Sequence, residues 1–404
     1  MLNVCTPEEA KKLIFDEFSV KSPVCERIPL HKCLGRVLGE AVTADEYVPD
    51  FDRSTVDGYA VTASDTFGCS DAIPALLTLV GDVKMGEAAK MTLNPGECVY
   101  VPTGAQLPHG ADAVVMIEYS EDYGDGTIGL SKPAAPGLNV IRRGDDVFPG
   151  KPVLSAGRRL RAEDIGALAA MGRAEVCVRA KPRIAVLSTG DELVPITEKP
   201  ALGQVRNVNS VMLCAAIEGY GAEAVDAGVI KDNKEALLSA LRSACSAYDA
   251  VIVSGGSSVG MKDATCAVIG ELGTLLLHGL AMKPGKPSIL GKIGGKPVVG
   301  LPGHPAAAFF VTEILVKELV SVLLGTEAER SFVPAVLTEA VSANHGRAQY
   351  TSVRLIKDGG TALAVPIRSK SGLVSSLAGA DGYFCIDRDS EGCAKGETIT
   401  VYLR

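Results

Sequence analysis

Ala250-Val251-Ile252-Val253-Ser254-Gly255-Gly256-Ser257-Ser258-Val259-Gly260-Met261-Lys262-Asp263 is the stretch around which this chain is read. Four apolar or small residues run into a glycine-rich turn, the pattern of a buried strand that ends in a tight loop. Glycine lets the backbone approach a ligand closely, and consecutive N–H groups in such a turn can hold an anion. Ser254, Gly255, Gly256, Ser258 and Gly260 are therefore candidate anion-binding residues. Asp263, three residues past the last glycine, adds a carboxylate that can hold a metal ion or steer a proton. Alone, the motif also reads as a simple turn closing a core strand, so its neighbours decide.

Those neighbours alternate between strand-like and helix-like patterns over residues 183–325. Arg183–Leu193 is strand then loop, and Asn209-Ser210 caps a helix that stops near Gly219. Ala224–Ile230 is a second strand, and Asp232-Asn233-Lys234-Glu235 starts a second helix. Leu275–Met282 and Pro297–Leu301 are further strands, and a helix follows from Ala306 to Leu324. This alternation predicts a parallel, doubly wound sheet, whose ligands bind beyond the carboxyl ends of the strands. Four polar segments fall at such ends: Thr189-Gly190-Asp191-Glu192, Ser254–Asp263, Lys283-Pro284-Gly285-Lys286-Pro287 and Pro302-Gly303-His304-Pro305. Lys283 and Lys286 flank a rigid turn suited to a phosphate or an oxyanion, or are two solvated lysines. Pro302–Pro305 leads into a helix N-terminus, which favours anions.

The rest of the chain is β-rich. Thr6-Pro7-Glu8-Glu9 signals a capped helix. Residues 61–141 carry short strands with regular turn signals, among them Gly124-Asp125-Gly126, and suggest an inserted barrel or sandwich. Before it, Phe51–Ala60 packs Asp52, Arg53, Ser54, Thr55 and Asp57 together, either a solvated acidic loop or a site loop in which Ser54 and Asp57 face a ligand. Thr103, at a strand end, is a further candidate contact. Arg142-Arg143-Gly144-Asp145-Asp146 reads as a surface ion cluster or as an Arg142 phosphate contact oriented by Asp146. Residues 330–404 form a small β domain in which Ser369-Lys370-Ser371-Gly372 is a polar turn able to close over a ligand.

Composition narrows the class. A chain of 404 residues predicts about two to four domains. Trp is absent, so the cores rest on Val, Leu, Ile and Ala. A net charge of −8 argues against general nucleic-acid binding while leaving room for a local basic pocket. Eleven scattered Cys with no Cys-x-x-Cys pair predict reduced thiols and a cytoplasmic protein, without a disulfide framework or structural zinc. Met1–Glu9 lacks a basic then apolar signal, and no run approaches the ~18 apolar residues of a membrane span.

Taken together and in order, Phe51–Ala60, Pro102–Ala105, Ser188–Leu193, Val253–Gly256 with Val259, Gly260 and Asp263, Lys283–Pro287 and Gly300–Gly303 resemble the MoeA family. These are the molybdopterin molybdenumtransferases, related to the C-terminal domain of gephyrin. The resemblance implies a dimeric subunit of four parts: a divided N-terminal region (1–45 plus 142–180), an inserted β-rich domain (46–141), a central α/β domain like that of the molybdopterin adenylyltransferases (181–328), and a C-terminal β domain (329–404). It implies insertion of molybdenum from molybdate into adenylylated molybdopterin with release of AMP, requiring Mg²⁺. By matched position, Asp57, Thr103, Asp146, Glu192, Asp232, Asp263, Lys283, Lys286, Pro302, Pro305 and Ser371 carry over as site residues. Asp57, Glu192 and Asp263 are the catalytic candidates, with Glu192 and Asp263 as metal ligands. Partner proteins would be the adenylyltransferase and cofactor-free molybdoenzymes.

Three positions depart from the family pattern. The Asn usual after Leu-Pro-Gly is His304, Ser257 fills the middle of the Ser-Gly-Gly loop, and a basic position of the C-terminal domain falls on Ser352, with Arg347 or Arg354 nearby. The competing functions are a gephyrin-like anchoring protein, the adenylyltransferase step itself, and a tungstate-using paralogue.

Overall fold

The helix predicted at Thr6-Pro7-Glu8-Glu9 forms as α1, Pro7–Phe18. The Glu9 amide donates to Thr6 Oγ1 (3.1 Å) and the Thr6 amide donates to the Glu9 carboxylate (2.8 Å), so the helix start satisfies two N–H groups reciprocally. This computed structural model describes residues 4–255, 259–368 and 372–404, with the backbone alone at 259–263. The chain divides into two compact units. One comprises Met1–Glu26, Gly35–Gly39 and Cys177–Arg404, the other Arg27–Leu34 and Glu40–Val176.

The second unit is built on six short strands. They are β1 (Gly58–Val61), β2 (Ala75–Asp82), β3 (Glu97–Val101), β4 (Ala113–Met116), β5 (Ser120–Asp122) and β6 (Thr127–Leu130), in the order β4-β1-β3-β2-β6-β5. Strand alternation sends Tyr59, Val61, Cys98 and Val115 to one buried face. It sends Ala60, Val99, Val101 and Val114 to the other. The hairpin predicted at Gly124-Asp125-Gly126 joins β5 to β6, with the Tyr123 amide donating to Thr127 O (3.1 Å). A helix of mostly small residues, α2, spans Ala162–Ala170.

In the other unit, Ile184-Ala185-Val186-Leu187 and Ala250-Val251-Ile252-Val253 have no polar face, so strands made from them must be covered on both sides. They lie in a six-stranded sheet of β7 (Arg183–Thr189), β8 (Glu223–Ile230), β9 (Ala250–Gly255), β10 (Thr274–His278), β11 (Ile289–Ile293) and β12 (Lys296–Leu301), ordered β8-β7-β9-β12-β11-β10. Helices α3 (Val208–Gly219), α4 (Lys234–Ala247), α5 (Val259–Leu272) and α6 (Pro305–Val311) cover it. Ile184, Val186, Ile252 and Val299 pack with Leu213 and Ile217 of α3, Phe310 of α6 and Ile14 of α1. Ala185, Leu187, Val251, Val253 and Val298 pack with Leu237 and Leu241 of α4 and Val268 and Ile269 of α5. At about 1.5–3 kcal/mol per fully buried aliphatic side chain, these two layers are the largest apolar contribution in the unit.

The sheet is doubly wound, but it is mixed rather than parallel throughout. β8, β7, β9 and β12 are parallel, while β11 pairs antiparallel with both β12 and β10. Gly294 and Gly295, both at positive φ (+57° and +81°), make the two-residue turn that folds β12 back on β11. The cap of α3 also lies two residues earlier than predicted, because Asn207 rather than Asn209 accepts from the Ser210 amide (3.4 Å). A further strand spans Glu175–Arg179.

α6 continues through a π-helical turn, Thr312–Val316, into α7 (Lys317–Leu323). The C-terminal stretch then closes on itself. β13 (Phe332–Leu337), β14 (Ala348–Asp358), β15 (Thr361–Pro366), β16 (Gly382–Ile386) and β17 (Thr398–Leu403) pair in the order β14-β15-β13-β17-β16, and β16 pairs back with β14. Val353, Ala364, Phe384 and Val401 fill this barrel. A two-residue strand, Met282–Lys283, adds to β14 with Lys283 opposite Gln349 and so brings the lysine turn to the barrel wall. No helix among the described residues is long and apolar enough to cross a membrane.

Asp164, 4% exposed at the start of α2, accepts from Arg158 Nε (2.9 Å) and from the Arg161 amide (2.9 Å). Burial raises its pKa, but these hydrogen bonds and the Arg158 charge more than offset that, leaving it below the ordinary aspartate range. A depressed folded-state pKa adds stability above the unfolded value, about pH 4, and that stability is lost as pH falls through the folded value. Asp164→Asn is therefore expected to lower stability at pH 7 by about 1–3 kcal/mol. The gap between wild type and variant, read from urea midpoints by circular dichroism, should narrow as the pH falls below 4.

Candidate functional site

The predicted convergence of strand ends is present. β7 and β9 run in register, with Ser188 beside Ser254 and Thr189 beside Gly255, and Ser254 is beside Leu301 of β12. Gly255 has φ +131°, and a Cβ there would stand 2.2 Å from Thr189 O, so only glycine lets these two strand ends close up.

One amide ties the ends of β9 and β12 together. Asn209, in the first turn of α3 and 8% exposed, donates from Nδ2 to Ser254 Oγ (2.9 Å) and to Gly303 O (2.9 Å). A carbonyl only accepts, so Gly303 O fixes which end of the amide faces it. Ser254 Oγ then receives a hydrogen bond and keeps its own proton for another acceptor. Asn209 Oδ1 is buried and has no hydrogen-bond partner among the described residues. Beside it, Ser188 Oγ donates to Asn207 Oδ1 (3.1 Å). Asn209 reads as a helix cap in the sequence. The pair Asn-x-Asn just before a helix, opposite the strand ends, is the signal that marks it as more.

These residues back a pocket of about 530 Å³. Thr189, Glu192, Asn207, Asn209, Ser254, Gly255 and Pro305 line it, and its described charged groups are Glu192 and Arg206. Asp232 stands near Asp191 and Glu192, its amide donating to Asp191 Oδ1 (3.3 Å). Burial and then the charges of Asp191 and Glu192 hold the Asp232 carboxyl above its ordinary range. That is an excess of negative charge made of hard oxygen donors, the kind a divalent cation offsets. Among the described residues no three His, Cys, Asp or Glu side chains are grouped to hold a metal ion.

A second cleft, of about 760 Å³, lies against the barrel. Lys283, Lys286, Arg347 and Arg368 line it, together with Pro302, Ser342 and Ser352, and no carboxylate is among its described lining residues. Arg368 is paired with Glu339 (3.0 Å) outside that lining. Arg347 is in the lining and Arg354 is not. At Ser352 itself the basic group is Arg404, whose Nη2 donates to Ser352 Oγ (3.1 Å) while its guanidinium lies 4.6 Å from the Phe309 ring. Nothing in the local sequence links two residues so far apart.

The other unit holds the remaining candidates. Asp57 accepts from the Thr103 amide (2.7 Å) and from Thr103 Oγ1 (3.0 Å), so these two residues form one polar pair on exposed loops. Ser54 is buried, and its hydroxyl donates to Val56 O (2.6 Å) within its own turn, so it does not face a ligand. The carboxylate that orients Arg142 is Asp52 (3.0 Å), not Asp146, because the Asp50–Arg53 loop runs beside the Arg142 turn. Asp146 is exposed, and its carbonyl accepts from Lys151. Gly256, Ser258 and Ser371 lie outside the described residues. Gly260 and Asp263 lie in α5, where only the backbone is described.

Three family models match the chain. They are the MoeA N-terminal region (domain I and II) over residues 5–172, the "Probable molybdopterin binding domain" over 185–321, and the MoeA C-terminal region (domain IV) over 334–403. A molybdopterin molybdenumtransferase of Bacillus subtilis is 33% identical over 384 residues, covering 94% of this chain and 89% of that one. The chain belongs to the MoeA family. Its fold agrees with solved MoeA structures. A molybdopterin biosynthesis MoeA protein from Pyrococcus horikoshii OT3 has a TM-score of 0.87 at 31% identity, with 100% of both chains covered. A second structure from that organism has a TM-score of 0.82 at 40% identity, covering 99% of each. The family resemblance drawn from the motifs, and the α/β-plus-β fold class it carried, are borne out.

Asn209→Ala removes both hydrogen bonds and the buried orphan oxygen together. It is expected to cost about 1–3 kcal/mol of stability. The larger effect is expected in hydrogen exchange, with the amides of β9 and α3 near the pocket opening faster than those of the C-terminal barrel. Uniform acceleration across the unit would contradict a local tie.

Proposed function

We propose that this MoeA-family protein inserts molybdenum from molybdate into adenylylated molybdopterin and releases AMP. The observation that carries the reading is a pair of cavities that share a wall residue and differ in charge. The cationic cleft suits a tetrahedral dianion, since Lys283 and Lys286 offer two ammonium groups from one rigid turn. The second pocket has Glu192 and Arg206 in its described lining, with Asp191 and Asp232 close to Glu192, and is framed by the strand-end loop and the start of α3, where backbone N–H groups suit phosphate oxygens.

Glu192 and Asp263 would hold Mg²⁺, with Asp232 and Asp191 close enough to Glu192 to add to its negative field. Mg²⁺ takes one or two carboxylates together with substrate phosphate oxygens, so Glu192 and Asp263 would suffice as its protein ligands. Bound there, it would neutralise charge on the pyrophosphate. Ser254, its Oγ accepting from Asn209, is left to donate to that same anion. Asp57 and Thr103 act as a unit, the carboxylate held in place by two hydrogen bonds. The protein works in this reading as a cytoplasmic homodimer that receives its substrate from the adenylyltransferase and passes its product to cofactor-free molybdoenzymes.

The test is direct. Purified protein is incubated with adenylylated molybdopterin, Mg²⁺ and molybdate, and AMP release is followed. Wild type is expected to release AMP, and Asp263→Ala to keep its fold and lose release. Lys283→Ala and Lys286→Ala are each expected to raise the molybdate needed by about tenfold to a hundredfold, the equivalent of a charge-assisted hydrogen bond. Unchanged AMP release by Asp263→Ala would sink the role given to that residue.

A further inference from the structure

His304 is the one described residue that lines both cavities. It stands where β12 gives way to α6, as the residue before Pro305, and makes no side-chain cap hydrogen bond to the helix. Its imidazole is exposed, and Cδ2 lies 3.8 Å from where a Cβ on Gly372 would stand. Among the described residues, the charged groups that line the two cavities with it are Lys283, Lys286, Arg347 and Arg368 on the cleft side, and Glu192 and Arg206 on the pocket side.

The proposed reaction moves an oxyanion from the first cavity to the sulfur atoms of a ligand in the second. With the pterin dithiol written R(SH)2, the exchange is R(SH)2 + MoO4²⁻ → R(S)2MoO3²⁻ + H2O. Two S–H bonds and one Mo–O bond break, while two Mo–S bonds and the two O–H bonds of water form. Molybdenum stays hexavalent and the charge is unchanged. Two protons therefore have to pass from sulfur to the departing oxide, across the boundary between the cavities. Lysine, arginine and carboxylate side chains as classes titrate far from neutrality, whereas imidazole both takes and gives a proton near it.

We propose that His304 is the proton carrier of the transfer step, taking a proton from a substrate thiol and delivering it to the oxide that leaves molybdate. The proposal rests on the molybdenum-transfer reading above. It goes beyond that reading by giving a catalytic role to the position at which this chain has His304 in place of the usual Asn.

The experiment follows reconstitution of a cofactor-free molybdoenzyme between about pH 5.5 and 9, using wild type, His304→Asn and His304→Gln. Molybdate binding is measured separately by calorimetry with molybdate alone. Both variants are expected to melt with wild type and to bind molybdate within about threefold of it. Transfer is expected to slow by about tenfold or more, with the wild-type pH dependence near neutrality flattened. Transfer within about threefold of wild type at every pH would overturn the proposal. So would a uniform loss with the pH profile kept, which is the signature of a packing role. Wild type that binds molybdate but never transfers it would overturn the underlying reading instead, and this proposal with it.

Discussion

The close approach of three strand ends is the constraint on which the site depends. β7 and β9 can lie side by side at their carboxyl ends only because Gly255 has no Cβ to meet Thr189 O. Asn209 then fixes Ser254 to Gly303 with two 2.9 Å hydrogen bonds. Each such bond adds about 1 kcal/mol net, but leaving its buried partner unmet costs more. The geometry is therefore held less by attraction than by the penalty for breaking it. The apolar layers on both faces of the sheet make that rigidity possible, since a close-packed interior transmits small shifts instead of absorbing them.

On this frame the chain separates charge. Four cations face the cleft against the barrel, while Asp191, Glu192 and Asp232 gather near the pocket, where burial and then the two neighbouring carboxylates raise the Asp232 pKa. In the proposed reading these separated charges serve two ligands, an anion in the cleft and an anion with a counter-cation in the pocket. The barrel takes part through Met282–Lys283, which pairs with β14 and carries the lysine turn to the cleft.

How much of this was legible depends on whether the signal was local. Strands without a polar face, such as Ala250–Val253, and the cap at Thr6–Glu9 could be read directly, because period and capping chemistry act over a few residues. β11 escaped because Gly291 and Lys292 interrupt its apolar run; the Gly294-Gly295 turn was the cue that it folds back on β12. Among the site residues, the loop ends at Thr189, Ser254, Lys283 and Pro302 were visible as polar breaks after strands. Asn209 was not, since a polar residue in the first turn of a helix already has a capping explanation. The meeting of Arg404 with Ser352, and the pairing of Arg142 with Asp52 in place of Asp146, are long-range results of the fold that no local pattern encodes.

The central claim is that the oxyanion binds in the cationic cleft, apart from the strand-end pocket. Crystals soaked in tungstate, the heavier analogue of molybdate, locate that anion by its anomalous scattering. The account expects the principal peak in the cleft, within hydrogen-bond reach of both Lys283 and Lys286. A principal peak at the Ser254–Gly255 loop, with the cleft empty, would contradict it.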